Sequence, residues 1–316
     1  MEIILGLDQL KRPLRNPVVT LGNFDGVHLG HQRILRKVKE EASKIDGEAV
    51  VITFDPHPLK VLAPGRCPPF LTSFRNKMGL LEKSGIQTVL CIQFSVFFSE
   101  ISPFDFVKNI LVEKIGARRV IVGYNYHFGK DQKGDVKVLR ELCKPFDIEV
   151  EMVEALWIGD TTVSSSKIRN LIKTGKVEEA SKLLGRDYPI VGKVVEGARR
   201  GQTLGFPTAN LEASDELYPL KGIYAVEVIW REQKFNGVAN IGTNPTFSAQ
   251  GGKKEKTPIL EVYILNFTHN IYGEEIQINF KKRIRNEIRF DSPSQLVTQI
   301  QKDIQWAKEN VFREKA

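Results

Sequence analysis

Cysteine is scarce in this chain: Cys67, Cys91 and Cys143 are scattered through 316 residues and odd in number. They form neither a disulfide framework nor a zinc-ligand spacing, and they fit a reducing cytoplasm. No apolar run approaches the roughly 20 residues that span a membrane. The start, Met1-Glu2-Ile3-Ile4, lacks the basic and apolar regions of a signal peptide. A cytoplasmic protein without membrane contact is therefore expected. Two phosphate-binding signatures are missing as well. Without Gly-x-x-x-x-Gly-Lys-[Ser/Thr] a P-loop NTPase is disfavoured, and without Gly-x-Gly-x-x-Gly a hydride-transfer enzyme is too. There is no internal repeat and no low-complexity tract.

The remainder is ordinary in bulk, with 41% hydrophobic and 27% charged residues. The length suits two domains better than one. A net charge of +8 attracts nucleic acid, but it attracts anionic cofactors and phosphates equally, so charge alone selects no partner. The pattern changes near residue 186 and predicts domains 1–185 and 186–316. In the first, apolar runs at Val18–Leu21, Ala49–Phe54, Thr88–Ile92 and Arg119–Val122 alternate with helical patterns at His31–Ser43, Phe74–Ser84 and Pro103–Lys114. Such alternation predicts an α/β, Rossmann-like parallel sheet with helices on both faces, where ligands bind beyond the carboxyl ends of the strands. In the second, short runs at Ile190–Val195, Ile223–Ile229, Phe235–Ile241, Ile259–Leu265 and Ile276–Phe280 are separated by Gly, Pro and Asn turns. They predict a small antiparallel β-barrel or sandwich. A terminal helix from about Ser294 to Glu309 carries Leu296, Ile300, Ile304 and Ala307 at helical spacing, to cover one side of it. Ala249–Lys254 reads as a loop between strands.

The most informative stretch is Gly22-Asn23-Phe24-Asp25-Gly26-Val27-His28-Leu29-Gly30-His31, between the first strand and an amphipathic helix. A glycine-rich turn there aims free N–H groups and a helix dipole at an anion, and imidazoles add donors to phosphate. The His-x-Gly-His pattern resembles the signature of the nucleotidylyltransferase superfamily. Two further motifs fall at strand ends, Asp55-Pro56-His57-Pro58 and Gly123-Tyr124-Asn125, and their convergence predicts one active site. Between two prolines, His57 also suits a rigid turn packed beneath that site. The segment Gly123–Asp135 offers rings for stacking, with Asn125 to read a polar edge or ribose. Ser164-Ser165-Ser166-Lys167-Ile168-Arg169 offers hydroxyls and a cation to phosphate, or an ordinary serine cap with a solvated Arg. His269 has no motif around it and reads as a surface residue.

Gly22–His31, Thr53–Pro58, Gly123–Asp135 and Ser164–Arg169 resemble, in order, the motifs of the bacterial bifunctional riboflavin kinase/FMN adenylyltransferases, or FAD synthetases. The resemblance continues through Gly205-Phe206-Pro207-Thr208-Ala209-Asn210-Leu211, Gly222-Ile223-Tyr224, Asn240–Phe247, Leu260-Glu261-Val262-Tyr263 and Arg283–Glu287, covering essentially the whole chain. It implies a first domain that transfers AMP from ATP to FMN. There His28, His31 and Arg169 act catalytically, Gly22, Asn23, Phe24, Gly30, Ser164 and Ser165 hold ATP and its phosphates, and Asp55, His57 and Asn125 serve the flavin. It implies a riboflavin kinase barrel in which Glu261 is the general base and Thr208 and Asn210 hold Mg²⁺ and the ATP phosphates. Arg285 and Phe290 are then stacking or ionic candidates for the flavin. Riboflavin, FMN and ATP are the implied partners; the oligomeric state stays open. Gln202 stands where the family often has Arg, and Ser166 where Thr is frequent.

Three other readings compete. The first motif alone also suits a cytidylyltransferase or a pantetheine-phosphate adenylyltransferase, which have no use for Pro207-Thr208-Ala209-Asn210. The barrel could regulate by binding flavin, with Glu261 an ordinary exposed strand carboxylate. Lys281-Lys282-Arg283 and the net charge suit a nucleic-acid binder, although nothing resembles a base-reading motif.

Overall fold

The computed structural model describes residues 1–197, 204–212, 216–243 and 258–312; Gln202, the Asn244–Phe247 part of its motif and the loop expected at Ala249–Lys254 lie outside them. The chain forms two compact units, Met1–Ser165 and Ser166–Ala316.

The first unit is built on six strands: β1 (Glu2–Leu5), β2 (Val18–Leu21), β3 (Ala49–Asp55), β4 (Thr88–Gln93), β5 (Arg119–Gly123) and β6 (Glu149–Val153). They form one sheet in the order β1-β4-β3-β2-β5-β6, every pairing parallel. The central strands read as unbroken apolar runs because both faces are covered: all of β2 and the first five residues of β3 are buried. On one face pack α1 (Leu29–Lys44) and α2 (Phe74–Lys83), through Leu35, Val38, Met78 and Leu81 against Val51 and Val89. On the other pack α3 (Val136–Cys143) and the Phe106–Ile115 stretch, through Leu139, Val107, Ile110 and Leu111 against Val50 and Ile52. That stretch, expected as part of one α-helix from Pro103, is a π-helix preceded by a single turn at Pro103–Asp105. A two-residue hairpin, β7 (Trp157–Ile158) with β8 (Thr161–Thr162), follows the sheet.

The order of the strands locates the site. From β2 the chain moves outward through β3 and β4, then returns to β2's other side with β5. The carboxyl ends of β2 and β5 therefore bound the switch point at which open parallel sheets bind ligands.

In the second unit, β9 (Tyr188–Val195), β10 (Ala209–Leu211), β11 (Gly222–Trp230), β12 (Gln233–Thr243), β13 (Pro258–Ile264) and β14 (Glu275–Arg285) close an antiparallel barrel in the order β10-β13-β12-β11-β14-β9. Alternate residues fill it, among them Tyr224, Val226, Val228, Ala239, Ile241, Leu260, Val262, Ile278 and Phe280. Arg231 and Glu232, at φ 48° and 67°, make the two-residue turn between β11 and β12. Two helices precede the barrel, α4 (Ser165–Lys173) and α5 (Val177–Leu184); α5 packs on β9 and β14. The change of pattern near residue 186 is thus the entry to β9, while compactness divides the chain after Ser165.

The terminal helix, α6 (Pro293–Asn310), contacts β12 and β14. Its contact differs from the apolar stripe expected: Ala307 is buried, but Leu296, Ile300 and Ile304 are only half-buried. The other buried residue is Asp303, which draws the helix to β14 through an ion pair with Arg285.

Candidate active sites

Leu21 ends β2, and the Gly22 N–H still bonds the Ile52 carbonyl at 3.1 Å. The chain then turns through Phe24, Gly26 and Val27 at φ 49°, 84° and 36°. Glycine takes this conformation freely, whereas Phe and the β-branched Val do so at a cost that surrounding structure must offset. Burial of both side chains supplies part of that. The buried Asp25 carboxylate supplies more, accepting the Leu71 N–H at 2.9 Å, the Thr72 N–H at 3.1 Å and the Thr72 hydroxyl at 3.3 Å. The Thr72 hydroxyl in turn accepts the Gly26 N–H at 3.1 Å. No sequence signal assigned Asp25 this anchoring part, because Leu71 and Thr72 are remote in the chain.

His28 is the N-cap of α1: its Nδ1 accepts the His31 N–H at 3.2 Å. That bond leaves the proton of the neutral ring on Nε2, a donor. The His28 and His31 rings stack with centroids 3.6 Å apart, and Phe24 meets His31 edge-on at 5.2 Å. Gly30 suits this packing, since a Cβ there would lie 3.2 Å from the His28 ring and press on it. His31 Nδ1 is buried with no hydrogen-bond partner. Burial holds the His31 pKa well below the usual imidazole range, with His28 and Lys77 pushing the same way. The ring is neutral near neutrality, not the imidazolium that would bind phosphate most strongly. Lys77, on α2, is a residue that sequence reasoning missed: its ammonium donates to the Asn23 carbonyl and the Thr53 hydroxyl, both at 3.2 Å.

Because every pairing is parallel, Asp55 at the end of β3 and Asn125 beyond β5 share the edge that carries the His28 turn. Asp55 is exposed. His57 caps the short helix Pro58–Leu62, its Nδ1 accepting the Leu59 N–H at 3.1 Å, with its ring 5.6 Å from Phe70. Asn125 is exposed, and its carbonyl accepts from His127 Nδ1 at 3.1 Å. Of the rings expected there for stacking, Phe128 belongs to the core, with Tyr126 stacked on it; Tyr124 is exposed. Ser165 Oγ donates to the Asp25 carbonyl at 2.9 Å, and Ser164 beside it is half-buried. Arg169 lies one turn into α4, within the second compact unit.

The barrel presents a second constellation. Leu260, Val262 and Ile264 point into it, so Glu261 is on the outer face of β13. Register places Asn210 of β10 and Asn240 of β12 opposite Glu261 on its two sides, in one polar row across three strands. Asn240 carries a buried Oδ1 with no partner, and Asn210 lies close against Gly197, where no side chain would fit. On the same face, Phe206 packs edge-on against Tyr263 at 5.3 Å, which lays the Pro207-Thr208 segment along β13. Arg285 is engaged: Nε and Nη2 bind Asp303 at 2.8 and 2.6 Å. Phe290 is half-buried beyond β14. His269, exposed as expected, also meets Trp230 at a tilt, ring centroids 5.2 Å apart.

Residues 10–167 match the FAD synthetase family and residues 184–311 the riboflavin kinase family. The chain belongs to the bifunctional riboflavin kinase/FMN adenylyltransferases. A member from Listeria monocytogenes is 39% identical over 92% of this chain and 91% of its own, and one from Escherichia coli K12 is 35% identical over 98% and 97%. A crystal structure from Streptococcus pneumoniae, of a protein described as a macrolide-efflux protein, aligns with a TM-score of 0.88 at 32% identity, covering 98% of this chain and 99% of its own. The efflux in that description is said of that protein. Both enzymatic domains of the bifunctional family are thus present in this chain, one on each constellation. No helix among the described residues is long and apolar enough to cross a membrane.

Proposed function

We propose that the turn after β2 transfers AMP from ATP to FMN, giving FAD and pyrophosphate, and that the outer face of β10 and β13 phosphorylates riboflavin to FMN. In the first reaction an FMN phosphate oxygen attacks the α-phosphorus of ATP while the bond to pyrophosphate breaks. The nucleophile is already anionic, so the site needs alignment and charge stabilisation rather than a strong base. His28 Nε2–H and the free N–H groups at the start of α1 donate to phosphate oxygens. Gly22, Asn23, Phe24 and Gly30 shape the turn, and Ser164, Ser165 and Arg169 add donors by their place in the family motif. His31 backs His28 and offers a neutral imidazole to the same phosphates. Asp55, His57 and Asn125 are proposed to line the flavin side.

In the second reaction the ribityl hydroxyl loses its proton to Glu261 as its oxygen attacks the γ-phosphorus of ATP, and ADP leaves. The donors beside Glu261 suit a hard cation: the Thr208 hydroxyl and the Asn210 amide are oxygen ligands. Among the described residues no group of three His, Cys, Asp or Glu could hold a metal by itself. Thr208 and Asn210 would hold Mg²⁺ together with substrate phosphates, and the ion would neutralise charge on the transferring group. Phe290 and Arg285 are proposed to serve the isoalloxazine ring, Arg285 from the position its pair with Asp303 fixes. Three free thiols, two of them buried, accord with a reducing cytoplasm.

The observation that carries this reading is the pairing of Glu261 with Asn210 in register, inside a chain whose other unit holds the His28 turn at a switch point. Flavin chromatography after incubation with riboflavin, ATP and Mg²⁺ tests it. Successive FMN and FAD are expected. FMN without FAD overturns the first assignment, and FAD from added FMN with riboflavin untouched overturns the second.

A further inference from the structure

Lys77 lies where burial makes a charge expensive. The residue is 9% exposed, and its ammonium meets two neutral acceptors, the Asn23 carbonyl and the Thr53 hydroxyl, both at 3.2 Å. Thr53 is fully buried and turns its own hydroxyl toward the Asn23 carbonyl at 3.5 Å, so the β2 turn, β3 and α2 meet at one point. No carboxylate of the described residues pairs with the ammonium; burial lowers its pKa, and the charges of Asp25 from the turn and Asp55 from β3 oppose that only in part. An apolar side chain of similar volume would pack there without the desolvation cost. A cation retained in such a place calls for a reason beyond packing.

The reason lies across the turn. His31 Nδ1 has no partner, its ring stacks on His28, and His28 from the turn and Lys77 from α2 both oppose its protonation. We propose that Lys77 is a positioning residue of adenylyl transfer. Its ammonium ties the Asn23 carbonyl to β3, which sets the turn that presents His28, and supplies fixed positive charge behind the His28–His31 pair. This deepens the assignment of the first site and rests on it. A fixed cation at low dielectric favours the anionic phosphates in front of the pair, and it opposes protonation of His31.

The test uses the full chain carrying Lys77→Met, Lys77→Gln or Lys77→Arg. FAD formation from FMN and ATP is followed against pH, with riboflavin phosphorylation in the same preparation reporting that the chain is folded. Met and Gln are expected to lower kcat roughly ten-fold to a hundred-fold with the KM for FMN little changed. They are expected to move the acid limb of the pH profile to higher pH, because His31 then accepts a proton more readily. Arg is expected to restore most of the rate. The His31 imidazole titration, followed by NMR without turnover, is expected to rise in the Met variant; Gln, which keeps a polar contact, serves if Met does not fold. An unmoved titration and pH profile, or an Arg variant as impaired as Met, overturns the proposal. A His31 shift in the Met variant, together with a wild-type chain that makes no FAD, overturns the site assignment instead.

Discussion

Asp25 and Glu261 are both carboxylates within family motifs, yet their neighbours divide them into different tasks. Asp25 is buried and accepts from two backbone N–H groups and a hydroxyl. Asp25→Ala leaves those donors unpaired and should lower unfolding free energy by about 2–4 kcal/mol, read from urea denaturation. Glu261 stands outward between two amide side chains with nothing comparable to hold up. Glu261→Gln should cut FMN formation from riboflavin by about 10²–10⁴-fold while FAD formation from added FMN continues, seen by flavin chromatography. Spacing marked Gly22–His31 as a candidate phosphate turn because the glycines, the imidazoles and the strand–helix junction it was read from are local. The part played by Asp25 was not legible, since its partners lie 46 and 47 residues away. Lys77 was hidden for the same reason: on α2 it reads as one more helical lysine, and only burial under the Asn23 turn distinguishes it.

Among elements, those with unbroken apolar runs were visible in the sequence: β2, β3, β4 and β5 lie where their runs predicted, within a residue at the ends. The missed strands had no such signal. β1 has a single buried residue, β6 alternates glutamates with apolar residues, and β10 is three residues long. They are strands because a neighbour pairs with them, which local pattern does not encode. The contact of α6 went the same way: apolar spacing predicted a greasy stripe, while only Ala307 of it is buried and the polar Asp303, paired with Arg285 at 2.6 Å, is buried beside it. Breaking a buried pair strands the remaining charge, so Asp303→Ala should cost about 3–5 kcal/mol and raise hydrogen exchange along α6 and β14. Gly30→Ala should crowd the His28 ring, at 3.2 Å from the new Cβ, and slow FAD formation while leaving riboflavin phosphorylation unchanged.

For the chain as a whole, the upper step in pH belongs to the first unit. His31 has a folded pKa well below its ordinary 6.5, so in that interval the unfolded chain binds a proton that the folded one refuses. Its contribution is complete above about 6.5 and is lost as pH falls. Two carboxylates follow at lower pH. Glu41 is held below the usual 4.5 chiefly by Lys44, and Glu48 chiefly by Arg12; both favour the folded state above that range and lose their effect as acid protonates them. Urea midpoints should therefore decline in two stages on acidification. His31→Gln should remove the upper stage and leave the lower one. The sequence alone determined what depends on nearest neighbours: a change of pattern along the chain, the alternation that makes a parallel sheet, the longer barrel strands, and the motifs that name the family. Tertiary structure decided what depends on register and on segments distant in the chain. It placed Glu261 on the outer face beside Asn210, engaged Arg285 with Asp303, left His31 neutral, and set an ammonium against the Asn23 carbonyl of the turn. Charge and hydrogen bonding in a folded protein are settled by which groups share a buried space, and strand pairing and packing create that space.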